Sequence, residues 1–190
     1  MSLWYATRAF GVISLVLLST VMVLGLLTAG RQAPIRGPAF VVTGLHRSLS
    51  MLSVMFIALH VITGVVDGYA PLTWLDTVVP FGSSYQPFWT GLGTVALDLM
   101  IALIVTSLLR ARLGLRAWRT VHWLAYACWP VALAHGLGQG TDNTSLLLLI
   151  PAGTGILAVG VAGVFRIGAG PRATPSALPR PRRHLEGSMR

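Results

Sequence analysis

Two stretches decide the fold: LHRSLSMLSVMFIALH, Leu45–His60, and WRTVHWLAYACWPVALAHGLGQGTD, Trp118–Asp142. Each carries two histidines in an apolar run. His46 and His60 are 14 residues apart, and His122 and His135 are 13 apart. Histidine is costly in lipid, so an intramembrane histidine is a functional candidate by default. It is also a standard axial ligand of haem iron. Two parallel helices with two histidines each could hold two haems, one above the other.

The surrounding composition fits a membrane. The chain has 190 residues, of which 54% are hydrophobic and 10% charged, and its mean hydropathy is +0.73. A soluble domain carries about 25% charged residues. Five segments approach the roughly 20 apolar residues that a spanning helix needs: Ala9–Ala29, Val42–Val66, Trp89–Leu109, Val121–Leu137 and Leu146–Phe165. The expected fold is an all-α integral membrane bundle of about five transmembrane helices over residues 1–167. A disordered Arg/Pro-rich tail is expected over residues 168–190. The first apolar stretch is longer than the usual signal-peptide core of about 7–15 residues, so a retained helix is expected. Between the spans, Gly30–Pro38 and Gly136–Ser145 read as loops, and Arg110–Arg119 reads as a short basic turn. The longer Gly68–Pro87 link could carry a short interfacial segment.

The net charge of +9 comes from 14 basic residues, all arginine. They flank apolar spans, which points to membrane topology and not to nucleic acid. Arg31, Arg36 and Arg47 flank the first connection, Arg110, Arg112, Arg116 and Arg119 fill the third, and six more lie in or before the tail. Arg8 stands on the other side with Asp67, Asp76 and Asp142. The positive-inside rule then puts the N-terminus out and the C-terminus in. The expected location is a bacterial cytoplasmic membrane. Trp4, Trp74, Trp89 and Trp118 fall near the expected interfaces. Cys128 is the single cysteine, which rules out an internal disulfide or a multi-cysteine metal site.

With this topology the second and fourth spans run parallel. His46 and His122 lie towards the cytoplasmic face, and His60 and His135 towards the outer face. At about 1.5 Å per residue the two spacings rise roughly 21 and 20 Å, so the levels match. Azimuth is less even. Fourteen steps of about 100° end about 40° short of four turns, whereas thirteen leave an offset of about 140°. A kink at Pro130, with helix tilt and imidazole reach, is expected to absorb it. Interhelical hydrogen bonding is the plainer role for a membrane histidine, but it explains four in two level pairs poorly. The levels are too far apart for one zinc or copper ion, and no carboxylate or second cysteine accompanies either.

The two quoted stretches resemble the ferric-reductase-like transmembrane domain of ferric reductases, NADPH oxidases and the haem subunit of methionine-sulfoxide repair systems. In that family two helices each supply two histidines, 13 or 14 apart, for two b-type haems. The resemblance implies that His46 and His122 hold an inner haem and His60 and His135 an outer one. The His46–Arg47 pair also looks like the family's motif. It further implies an electron-transfer subunit of an oxidoreductase, with electrons entering at the cytoplasmic haem and leaving from the outer haem. The acceptor would be ferric iron, a flavoprotein or a periplasmic reductase. Larger members carry flavin and nicotinamide domains after the last helix. Here GLG at Gly91–Gly93 and GLGQG at Gly136–Gly140 follow no strand of a βαβ unit, so neither is a dinucleotide fingerprint. The donor is therefore expected to be a separate redox protein, such as one carrying flavin, or quinol.

Other candidates are subordinate. Arg47, Arg116 and Arg119 are placed to pair with haem propionates. Asp98, near mid-bilayer, could orient a ligand, relay a proton or simply pack. Gln139, Thr141 and Asp142 follow His135 and could shape acceptor access, although a plain connector suffices. Trp123, Tyr126 and Trp129 read as packing against lipid or haem. His184 lies in the tail and is not an expected ligand. Two other readings remain: a quinol-oxidising b-type cytochrome, and a non-redox transporter or accessory protein whose histidines pack or relay protons.

Overall fold

The computed structural model describes residues 2–29, 39–139 and 144–168. They form an all-helical bundle: α1 (Ser2–Ala29), α2 (Ala39–Val66), α3 (Pro87–Leu108), α4 (Arg110–His122), α5 (Ala125–Gly138) and α6 (Leu146–Gly168). Among the described residues four helices, α1, α2, α3 and α6, are long and apolar enough to cross a membrane. The expected fourth span is not one continuous helix. It breaks at Trp123–Leu124, which leaves His122 as the last residue of α4 and His135 within α5. Arg110–Arg119, expected as a turn, belongs to helix α4. That helix bends at Gly114, whose φ of 75° suits a residue without a side chain.

The packing is that of a membrane protein. Large apolar side chains face outward: Ile167 is 84% exposed, Leu108 79% and Phe40 77%. Such a surface is a liability in water and the normal one in lipid. The interior instead collects small and hydroxylated residues, among them Ser14, Ser19, Ser53, Thr94, Ala96, Ala152 and Ala162. Lipid tails are as apolar as leucine, so helices associate through close packing of small residues and hydrogen bonds.

α1 is the central strut, packing on α2, α5 and α6. Its Leu15 meets Leu133, Leu148 and Ala152, and its Met22 and Leu26 meet Ala162. Tyr126 and Trp129, expected against lipid or haem, pack against these protein clusters. Ser19 joins three helices. Its hydroxyl donates to the Leu15 carbonyl at 2.8 Å and accepts from Trp129 Nε1 at 3.0 Å. A methyl on Gly155 of α6 would fall 2.7 Å from the same oxygen. Replacing Trp129 with phenylalanine should cost about 0.6 kcal/mol, the typical value for such a bond in a membrane. Denaturant unfolding in mild detergent would measure it.

The link between α2 and α3 folds back onto α3. It contains a three-residue 3-10 turn, Leu75–Thr77. Thr94 Oγ1 donates to the Asp76 carbonyl at 2.6 Å, and the Asp76 carboxylate accepts from Thr73 N and Oγ1 at 2.7 and 2.9 Å. The link is thus tied to α3 on the same side as His60 and His135. The expected tail lies almost wholly outside the described residues, as do Arg31, Arg36, Thr141, Asp142 and His184.

Candidate paired-histidine site

The four histidines meet in two pairs. The ring centres of His46 and His122 are 6.5 Å apart with planes at 66°. Those of His60 and His135 are 6.3 Å apart with planes at 76°. Since His46 meets His122 and His60 meets His135, α2 and α5 run parallel and the levels match. α2 packs on α1, and α5 packs on α3, α1 and α6, without extensive contact between α2 and α5. The histidine rings bridge the space between α2 and the α4–α5 segment.

The spacing is chemically specific. An imidazole nitrogen sits about 2 Å from a first-row metal, so two rings on opposite sides of one metal have centres about 6 Å apart. Among the described residues no cluster of three or more His, Cys, Asp or Glu could hold an ion by itself. Each level therefore offers two ligands, which suits a metal whose other positions are filled by a macrocycle.

Three of the rings are held by backbone. His60 Nδ1 bonds to the Thr7 carbonyl at 2.8 Å, His46 Nδ1 to the Val21 carbonyl at 3.2 Å, and His135 Nδ1 to the Trp89 carbonyl at 2.8 Å. A carbonyl can only accept, so each Nδ1 carries a proton, and in the neutral ring Nε2 then keeps its lone pair. That is the tautomer of a metal-ligating histidine whose other nitrogen is oriented by a hydrogen-bond acceptor. His122 differs. Its Nδ1 is buried without a partner among the described residues, and its ring stacks on Trp118 at 4.7 Å and 27°.

The α1–α2 contact is a regular antiparallel register. Thr7 faces His60 and Val21 faces His46. Midway, that register sets Ser14 level with Ser53, both buried. The 14-residue spacing on α2 is thus matched by one on α1. Hydropathy alone does not show that match.

The 13-residue pair shows an adjustment besides the expected kink at Pro130. α5 continues through Pro130. The adjustment lies at the α4–α5 junction, where Trp123, Leu124, Tyr126 and Ala127 donate to the carbonyls of Thr120, Val121, Trp123 and Leu124, three residues back. Residues in 3-10 geometry advance about 120° and 2 Å each, against about 100° and 1.5 Å in an α-helix. Four of them add roughly 80° and 2 Å, which recovers most of the azimuth and all the length of the missing residue.

An open cavity of about 300 Å³ adjoins the His60–His135 pair. His60, His135, Gly11, Gly93 and Cys128 line it, and it extends to Tyr85 and Gln139. Gln139, expected in a plain connector, donates to Thr90 Oγ1 at 3.4 Å. Arg47 adjoins His46 in sequence and Arg119 lies one turn before His122, and both are exposed. Arg116 is exposed too. Asp98 is half-buried. Trp123 lies largely exposed against Tyr126, with ring centres 5.0 Å apart.

Neither the curated proteins nor the solved structures offer a match to this chain. A family model does match over residues 9–133, a span that takes in His46, His60 and His122 and ends two residues before His135. The chain belongs to the family of ferric reductase like transmembrane components.

Proposed function

We propose that the chain is the membrane electron-transfer subunit of an oxidoreductase, with haem b held by His46 and His122 at one level and by His60 and His135 at the other. One observation carries the reading: two ring pairs at metal-bridging separation, with three rings locked in the tautomer that frees Nε2. Held there by two histidines, a haem would supply one-electron transfer in preference to oxygen binding.

The chain's own residues orient and insulate. The carbonyls of Thr7, Val21 and Trp89 keep a proton on Nδ1 and raise the basicity of Nε2. Arg47 and Arg119 are the cations assigned to the propionates of the inner group. The fold places a lipid-facing surface outside the bundle and the arginine-rich α4 at one end. We assign that end to the cytoplasm, with the N-terminus out and the C-terminus in, and the last turn of α4 with α5 as the fifth pass. The donor is then a separate cytoplasmic-side protein, for example a flavoprotein. The cavity beside His60 and His135 faces the acceptor: ferric iron, a flavoprotein or a periplasmic reductase.

The purified protein should show a b-type reduced-minus-oxidised band and about two haems per chain, one for each bis-histidine pair. A colourless protein would sink the proposal and favour a transporter or accessory role. Direct reduction by added quinol would reassign the donor.

A further inference from the structure

We infer that Gly11 and Gly93 are positioning residues, each a notch that seats one histidine ring on the backbone carbonyl that orients it, with Gly25 at the equivalent place beside His46 but in ordinary contact. The inference rests on the proposed haem ligation and assigns a role to residues of α1 and α3 outside the ligand set.

The pattern recurs three times. Each glycine lies four residues after an acceptor: Thr7 and Gly11, Val21 and Gly25, Trp89 and Gly93. In an α-helix the carbonyl of residue i points at the N–H of residue i+4. A side chain at i+4 leans towards the helix N-terminus and covers the turn before it, including that oxygen. Glycine leaves the oxygen open to a second donor from a neighbouring helix. The histidine rings occupy these openings. A methyl on Gly93 would lie 2.6 Å from His135 Cε1 and 2.7 Å from Nδ1. On Gly11 it would lie 3.0 and 3.1 Å from the same atoms of His60. On Gly25 it would lie 3.4 Å from His46 Cε1, an ordinary contact.

His122 supplies the contrast. α3 runs antiparallel to α5, with Trp89 opposite His135 and Ala96 opposite Cys128. Continued inward, that register brings Ala102 and Leu103 to the level of His122. The side chain over their carbonyls is Thr106, whose hydroxyl bonds to both, at 2.7 and 3.3 Å. Where the notch is filled, the histidine Nδ1 has no acceptor among the described residues.

The test uses the full-length haem-loaded protein and reads the low-spin ferric EPR signals and midpoint potentials of both haems. The EPR signal reports the angle between the two axial ring planes. Gly93→Ala should alter or abolish the outer signal and shift the outer potential while the inner signal stays. Gly11→Ala should alter the outer signal less, and Gly25→Ala should leave both. Gly44→Ala, two residues before His46 but exposed and facing open space, should also leave both. Parental signals in both Gly93→Ala and Gly11→Ala would overturn the inference. If Gly93→Ala loses both haems by misfolding, Gly11→Ala decides: an altered outer signal supports the notch and an unaltered one overturns it. A parent protein without haem would instead overturn the functional reading beneath it.

Discussion

Alanine at His60 is expected to leave about one haem per chain where the parent carries about two, because bis-histidine ligation needs both axial rings. His60 is one of the two rings at its level, 6.3 Å from its partner. Alanine supplies neither a ligand nor a donor for the Thr7 carbonyl. His135 alone cannot hold the iron from both sides. The inner pair lies roughly 20 Å along the helices, and alanine is a good helix former, so the inner haem should remain. His46→Ala should give the mirror result. Haem-to-protein ratios and EPR of the two variants check both. Survival of both haems in His60→Ala would make the ligand assignment wrong.

Deletion of Leu124 is expected to abolish the inner site, whereas insertion of one alanine after Leu124 is expected to preserve it. The asymmetry follows from the 3-10 turn at the α4–α5 junction. Four residues there donate to carbonyls three residues back, and that bonding lets thirteen residues do most of the geometric work of fourteen. One added residue lets the turn relax to α-helix, which reproduces the 14-residue spacing of His46 and His60. One residue fewer would demand 3-10 geometry along nearly the whole interval, and such runs rarely exceed about 3–4 residues. The inner haem's absorbance and EPR signal distinguish the cases. Equal loss in both variants would show that the junction is not the compensating element.

The matched levels, the all-helical membrane fold and four of the spans were legible in the sequence, because residue counting and hydropathy carry that information directly. The source of the azimuthal correction was not. Pro130 is visible as a helix breaker, yet a proline removes one hydrogen bond and α5 runs on through it. Nothing in the identities of Trp123 and Leu124 marks their 3-10 bonding. The notch residues were half legible. Gly11 and Gly25 are 14 apart, as His46 and His60 are, but the coincidence means nothing until the register of α1 on α2 is known. α4 was read as a turn because its arginines break the apolar pattern, although an interfacial helix needs only one apolar face. Asp98 lies half-buried on α3, and among the described residues no geometry favours its orienting role over packing.

The stack on His122 extends one residue further. Arg110 lies over the Trp118 ring, 4.6 Å from its centre, and Trp118 lies on His122. A surface cation is thereby joined to a buried ring through one indole. His122 is also the one histidine of the four that no carbonyl holds among the described residues. An indole backed by a guanidinium covers that ring in place of a carbonyl contact.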